Sequence, residues 1–212
     1  MTAPALVIAY DGSPAAASAI RVAEALFPGA PAVVAHVQRE PAALAQSAAL
    51  AGIAIPDAEI VGGLEALDRA AAEEARAIVA RGARTASEAG LRPVTAEVEV
   101  EGTAWRGILR LAGERDAAVI VSGSRGHGPL SRAAIGSTSS GLLHHADRPL
   151  LVVPEGGGGN LSGPVLVGYD GSKAAGAAVS RAASLLGDRE TVVVNVWESL
   201  IQHSLGGPRG RC

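Results

Sequence analysis

The chain has 212 residues, 48% of them hydrophobic and only 2% aromatic, and its formal net charge is −3. The small negative charge and the absence of a Lys/Arg cluster interleaved with aromatic residues disfavour a protein that binds nucleic acid in bulk. Cys212, the single cysteine, cannot form an intrachain disulfide, and no signal segment or bilayer-length apolar stretch is present, so we expect a soluble, cytoplasmic protein.

Short apolar runs alternate with longer helical patterns as far as residue 153. The apolar runs predict five strands, over Leu6–Tyr10, Ala32–Val37, Val94–Val100, Ala117–Ser122 and Pro149–Val153. Between them, in chain order, the helical patterns predict helices over Ser13–Phe27, Leu64–Ala89 and Thr103–Gly113 and a helix after Gly136. Ser13 and Pro14 are typical of a helix start, where a capping hydroxyl precedes proline in the first turn. This alternation predicts an α/β fold, a parallel sheet with helices on both faces and an aliphatic core.

Two segments interrupt the alternation. Glu40–Gly63 has no clear periodicity and is long for a connection, so we expect a surface excursion, either a lid over a site or an insertion. Residues 155–163 contain four consecutive glycines and predict a flexible linker. The linker would separate a first domain, residues 1–154, from a second segment, residues 164–212.

The second segment begins by repeating the first domain. Tyr10–Ser13 recurs as Tyr169–Ser172, and an ungapped offset of 159 residues carries the similarity to Val37 and Val196. Beyond Trp197 the similarity stops. We therefore expect an incomplete βαβ repeat that docks on the first domain or on a partner, or is poorly ordered. A fragment of a longer two-domain protein is an equally simple explanation.

A glycine-rich segment follows the fourth predicted strand. Gly123-Ser124-Arg125-Gly126 is followed by nine residues and then by Gly136-Ser137, where a helix is predicted to start. Glycine lets backbone N–H groups turn toward an anion, and the helix start adds unpaired donors and the positive end of its dipole. We call Gly123–Pro129 with Gly136–Ser139 the cradle, and it predicts a phosphate site. As alternatives, the glycines serve only as turn residues and the hydroxyls only cap the helix.

The cradle, combined with Tyr-Asp-Gly-Ser after the first strand, resembles the universal stress protein family. The similarity spans Leu6–Val153, and the repeat is similar to the tandem-domain members. The resemblance implies a five-stranded parallel, doubly wound sheet of order 3-2-1-4-5, like that of the adenine nucleotide alpha hydrolases. It places ATP, with or without Mg²⁺, at the carboxyl ends of strands 1 and 4, where the strand order reverses. The nucleotide-binding residues that it implies are Ala9, Asp11, Val37, Gly123, Ser124, Arg125, Gly126, His127, Gly128, Pro129, Gly136, Ser137, Thr138 and Ser139.

These residues have different expected roles. Triphosphate would repel a carboxylate, so Asp11 contacts ribose or adenine, or holds Mg²⁺, unless it is only a turn residue. Ala9 stands where the family commonly has glycine, and its methyl group would narrow the pocket. Val37 is either an adenine contact or ordinary core. Arg125 and His127 are expected to contribute their backbone N–H groups first and their side chains second.

No nucleophile–base pair, paired carboxylates or metal-ligand cluster is visible near the cradle, so we assign no catalytic residue and no metal site. The sequence therefore favours an ATP-binding regulatory protein of the stress response over an enzyme. A nucleotide-free dimeric scaffold is the first alternative, and an ATP-hydrolysing enzyme the second. His144 and His145 are expected to be structural. The resemblance also implies a homodimer that pairs through the last strand, Leu150–Val153.

Overall fold

The computed structural model describes residues 3–38, 58–126, 135–159 and 161–196, with only the backbone for residues 58–67. The chain divides into two compact units, Met1–Leu161 and Ser162–Cys212. None of the helices in these described ranges is both long and apolar enough to span a membrane.

The first unit is a five-stranded sheet with helices between the strands. Its strands are β1 (Leu6–Ala9), β2 (Ala32–Gln38), β3 (Val94–Val100), β4 (Val119–Gly123) and β5 (Leu150–Val153). Its helices are α1 (Pro14–Leu26), α2 (Ala58–Ala89), α3 (Ala104–Glu114) and α4 (Ser137–His145). All neighbouring strands are parallel, and their order is β3-β2-β1-β4-β5. The predicted α/β fold and strand order are confirmed.

The turn between β1 and α1 follows from three consecutive residues. Asp11 Oδ1 accepts a hydrogen bond of 2.9 Å from the backbone N–H of Ser13. Gly12 has φ +82°, a left-handed conformation that glycine adopts without the steric cost of a Cβ. Ser13 then caps the helix, because its hydroxyl accepts the N–H of Ala16, while Pro14 occupies the first helical position. The predicted helix start is therefore confirmed.

Helices cover the sheet on both sides, with α1 packed against α2 and α3 against α4. Each fully buried aliphatic side chain contributes about 1.5–3 kcal/mol relative to an exposed one. On the side of α3 and α4, the buried core comprises Val7, Ala35, Ile108, Leu111, Ala112, Ala117, Ile120 and Leu142. With both faces covered, the carboxyl ends of the strands are where a ligand can reach the sheet.

Helix α2 begins earlier than the sequence indicates. We expected a helix from Leu64, but it starts at Ala58, so the irregular excursion predicted over Glu40–Gly63 is wrong for residues 58–63. Two adjacent glycines, Gly62 and Gly63, favour a break, at a cost of about 1 kcal/mol each relative to alanine. A helix of 32 residues tolerates that cost. The remainder of the expected excursion, residues 40–57, lies outside the described residues.

The second unit contains β6 (Val165–Gly168), α5 (Lys173–Leu186) and β7 (Thr191–Val194), and β6 pairs with β7 in parallel. Its first turn repeats that of the first unit. Gly171 has φ +85°, and Ser172 caps α5 by accepting the N–H of Ala175 at 3.1 Å. The internal repeat is therefore a repeat of backbone geometry as well as of sequence.

Candidate functional site

A crevice of about 340 Å³ lies at the carboxyl ends of β1 and β4. From β1 the sheet continues through β2 and β3 on one side and through β4 and β5 on the other, so this is the point where the strand order reverses. The predicted site residues that line it are Ala9, Asp11, Val37, Gly123, Arg125, Gly126, Gly136, Ser137, Thr138 and Ser139. Ser124 is not among the lining residues, and His127, Gly128 and Pro129 fall outside the described residues.

Backbone hydrogen bonds hold the glycine loop against two helix starts. The N–H of Gly136, the residue before α4, donates to the carbonyl oxygen of Ser124 at 2.8 Å. The Ser13 hydroxyl, at the start of α1, donates to the carbonyl oxygen of Arg125 at 3.4 Å. The described part of the cradle is therefore anchored to both α4 and α1.

The two helices that begin at the crevice differ in their capping. Ser13 satisfies a first-turn N–H group of α1, but Gly136 has no side chain with which to cap α4. The N–H groups of Ser137, Thr138 and Ser139 lie in the first turn, where a helix offers them no acceptor. These donors and the positive end of the α4 dipole thus border the crevice, which suits an anion.

The three glycines of the cradle that the structure describes have different structural roles. A Cβ on Gly123 would lie 2.7 Å from the backbone carbonyl carbon of Ala15, so this glycine permits β4 to pack against the start of α1. A Cβ on Gly126 would overlap Oδ2 of Asp11. A Cβ on Gly136 would meet only ordinary contacts, 3.4 Å from Arg125 Cα and 3.7 Å from the Gly126 nitrogen. A methyl group added to Gly136 would therefore lie against the backbone of residues 124–126 without a clash.

Ser139 and Val37 take part in packing as well as in the crevice lining. The buried Ser139 hydroxyl donates to the Gly123 carbonyl oxygen at 2.6 Å and lies 3.1 Å from the Ser122 hydroxyl oxygen. Its first-turn N–H group is therefore what it can offer a ligand. Val37 Cγ2 lies 3.1 Å from the position of a Cβ on Gly107 of α3, so Val37 contacts the core and the crevice together.

Arg125 supplies positive charge at the crevice, which it lines with a partly buried side chain. The Arg110 and Arg115 guanidinium groups pair instead with glutamates of β3 and α3. The hydrogen bond that Arg110 donates to Glu114 and the charge of Glu99 raise the pKa of Arg110. Those arginines are therefore committed to ion pairs beside β3, whereas Arg125 lies where an anion would bind.

Sequence reasoning missed His36, which lines the crevice at the end of β2. Its Nδ1 lies 2.9 Å from the carbonyl oxygen of Tyr10. The repeat carried a signal for this residue, because Asn195 occupies the position 159 residues later and also bears a side-chain N–H. Asn195 Nδ2 donates to the carbonyl oxygen of Tyr169 at 2.6 Å, so the two units make the same bond.

The described residues do not bring together the side chains that a protein-bound metal ion needs as ligands. Within those ranges, no three His, Cys, Asp or Glu side chains come together in a way that could hold one. Among the described residues that line the crevice, Asp11 is the one that carries a carboxylate. A Mg²⁺ ion accompanying a nucleotide would thus take most of its oxygen ligands from phosphate and water, as Mg²⁺ commonly does.

Comparison with known proteins identifies relatives in sequence. The sequence model of the universal stress protein family matches residues 4–154. A universal stress protein of Mycobacterium tuberculosis is 32% identical over 132 residues, which cover 60% of this chain and 42% of that protein. One from Mycolicibacterium smegmatis is 39% identical over 87 residues, covering 39% of this chain and 30% of that protein. The chain thus matches less than half the length of these relatives.

Solved structures agree in fold. The universal stress protein UspA from Lactobacillus plantarum superposes with a TM-score of 0.55 at 20% identity, over 72% of this chain and 99% of that one. A universal stress protein from Archaeoglobus fulgidus gives a TM-score of 0.62 at 17% identity, over 96% of this chain and 71% of that one. At these identities the likeness concerns the fold alone.

Proposed function

The chain belongs to the universal stress protein family, and from that membership we propose that its first unit binds ATP in the crevice between β1 and β4. The observation that carries the proposal is the open start of α4. Its first-turn N–H groups lack a side-chain cap and border the crevice beside Arg125, which is the arrangement that favours phosphate.

The crevice also has a second, less positive end. Val37 and Ala9 present apolar surface at the ends of β2 and β1, and Asp11 presents a carboxylate next to them. A nucleotide with its phosphates on α4 would place its ribose and base toward these residues. Because negative phosphates repel Asp11, that carboxylate suits a ribose hydroxyl.

We propose that the protein holds the nucleotide as a regulatory ligand and does not turn it over rapidly. Fast hydrolysis needs a group that positions the attacking water and additional charge stabilisation. Among the described crevice residues, Asp11 already accepts the Ser13 N–H, and His36 lies on β2, which β1 separates from the strand that leads into the cradle. Bound phosphate would instead lie between Arg125 and the first-turn N–H groups of α4, and we expect this occupancy to be how nucleotide influences a partner in the stress response.

A second candidate function is that of a dimeric scaffold, in which two copies of this chain assemble through β5. β5 forms an edge of the five-stranded sheet, and its Leu150, Leu151 and Val152 are partly exposed. An exposed edge strand with apolar side chains is a template for pairing with another chain. We propose that two copies pair along this edge, with or without nucleotide.

The ATP proposal is tested by adding a methyl group to Gly136. In Gly136→Ala the methyl group would lie 3.7 Å from the Gly126 nitrogen without a clash, where it would hinder phosphate from reaching that N–H. We therefore expect ATP binding to weaken about tenfold, corresponding to the loss of one hydrogen bond to a charged group. Isothermal titration calorimetry measures this change. The matched control is Gly113→Ala, because a Cβ on Gly113 in α3 has no neighbour within 4 Å.

The proposal fails if the wild-type protein does not bind ATP. It also fails if Gly136→Ala and Gly113→Ala bind ATP as tightly as each other while both remain folded by circular dichroism.

A further inference from the structure

We propose that His36 selects the base of the bound nucleotide by accepting a hydrogen bond at Nε2 from the 6-amino group of adenine. The crevice would then prefer adenine nucleotides to nucleotides of 6-oxopurines such as hypoxanthine. This inference rests on the proposed nucleotide binding and adds to it the residue that determines base specificity.

The tautomer of His36 is set by its partner. A carbonyl oxygen can only accept a hydrogen bond, so the 2.9 Å contact with Tyr10 requires the proton of the neutral ring to be on Nδ1. The Tyr10 backbone is itself fixed, because its N–H donates to the carbonyl oxygen of Ala35 at 2.8 Å. Nε2 of the neutral ring therefore carries a lone pair and acts as an acceptor.

Nε2 is also accessible. No hydrogen-bond partner for it is present among the described residues, and in those ranges no side-chain nitrogen or oxygen is both fully buried and without a partner. The ring as a whole is only partly buried and lines the crevice. Nε2 therefore retains accessible surface on a residue that borders the crevice.

The position of His36 suits the base and not the phosphates. It lies on β2, which is separated from β4 by β1, so it is two strand spacings, about 10 Å, from the strand that leads into the cradle. A nucleotide extends over such a distance from its first phosphate across the ribose to the far edge of its base. Val37, the next residue, supplies the apolar surface against which a base can pack.

The acceptor at Nε2 distinguishes two otherwise similar purines. Adenine carries at position 6 an amino group that donates, whereas hypoxanthine carries an oxygen that accepts, so two lone pairs would face each other. Moving the proton to Nε2 would relieve this repulsion, but the lone pair on Nδ1 would then oppose the Tyr10 carbonyl oxygen. Either arrangement leaves acceptors without a donor, which is costly in a partly desolvated site.

The second unit supplies the variant that tests this idea. In His36→Asn the amide can donate to the Tyr10 carbonyl oxygen, as Asn195 does to that of Tyr169, but the acceptor at Nε2 is lost. Calorimetry measures the preference between ATP, whose base has a 6-amino group and an unprotonated N1, and ITP, whose base has a 6-oxygen and a proton on N1. We expect the wild-type protein to bind ATP about tenfold or more tightly than ITP, and the His36→Asn variant to bind the two within about threefold of each other.

Several outcomes separate this inference from the proposed function. If the wild-type protein binds neither nucleotide, both are wrong. If the wild-type protein binds ATP and ITP equally, or if His36→Asn keeps the full preference for ATP, His36 does not select the base although the nucleotide site stands. The wild-type comparison needs no variant, so equal binding of ATP and ITP would overturn the inference even if His36→Asn does not fold.

Discussion

Gly123 illustrates how one residue of a nucleotide-binding pattern can be required for packing. The Cβ that alanine would introduce lies 2.8 Å from the Ala16 nitrogen and 3.0 Å from the Ala15 Cβ, so the start of α1 would have to move. We expect Gly123→Ala to lower the free energy of unfolding by about 1–3 kcal/mol, the usual cost of overpacking a close contact. Thermal unfolding followed by circular dichroism measures this loss.

Gly113→Ala again serves as the control for Gly123→Ala, since the helical Gly113 has open space around it and alanine there favours the helix. Equal melting temperatures for the two variants would show that the approach of β4 to α1 is looser than described. Loss of ATP binding in Gly123→Ala is therefore not evidence for a phosphate contact, whereas loss in Gly136→Ala is.

At the same scale, the sequence indicates which residues gather at the site but not which of their atoms remain available to hydrogen-bond a ligand. The glycine spacing predicts the loop, and the loop does border the crevice. Spacing does not reveal that the Ser139 hydroxyl is bonded to the Gly123 carbonyl oxygen, because that bond depends on how α4 lies over β4. His36 escaped prediction for a similar reason, since its bond to Tyr10 depends on how β2 lies beside the end of β1.

At the scale of elements, strand and helix positions were predictable because each has a strong local signal. The strands are short aliphatic runs, and Ser13 with Pro14 marks the start of α1 as expected. The start of α2 was not predictable, because Gly62 and Gly63 resemble a turn, and the remainder of a 32-residue helix outweighs their low helix propensity. Strand order came from the family resemblance, since local patterns do not specify which strands become neighbours.

Pairing of two copies through the edge strand β5 can be tested without removing the hydrogen bonds between β5 and β4. Pro149 and Val153 accept hydrogen bonds from β4 through their carbonyl oxygens, so in a parallel ladder the backbone N–H of Val152 faces the opposite, outer edge. Val152→Pro removes that outward donor and leaves the bonds to β4 in place. We expect this variant to be monomeric, whereas Val152→Ala, which keeps the N–H, remains dimeric.

Size-exclusion chromatography with light scattering gives the mass of each of these variants. A dimer that persists in Val152→Pro, or a wild-type protein that is already a monomer at micromolar concentration, would rule out pairing through β5.

At the scale of the whole molecule, the two units share a turn but not a cradle. The Asp-Gly-Ser turn, the capped helix and the side-chain bond to a tyrosine carbonyl all recur in the second unit. The sequence after Val196 contains no second run of glycines with the cradle spacing. The described part of the second unit therefore repeats the turn, the helix start and the bond to a tyrosine carbonyl that border the crevice of the first unit.

The two units also differ in how far equivalent apolar side chains are buried. Leu166 of β6 is 69% exposed, whereas Val7, its counterpart 159 residues earlier, is fully buried beneath α3 and α4. Within the described residues the second unit has two strands and one helix, too few to cover both faces of a sheet. The repeat was predictable from sequence, but the exposure of its apolar face follows only from the structure.

Native mass spectrometry of the full chain titrated with ATP measures the nucleotide stoichiometry directly. Because the cradle occurs once, we expect the mass to increase by one ATP per chain at saturation, and the Gly136→Ala variant to need about tenfold more ATP for the same occupancy. Absence of a bound nucleotide at millimolar ATP, or two nucleotides per chain at saturation, would contradict a single phosphate site at the start of α4.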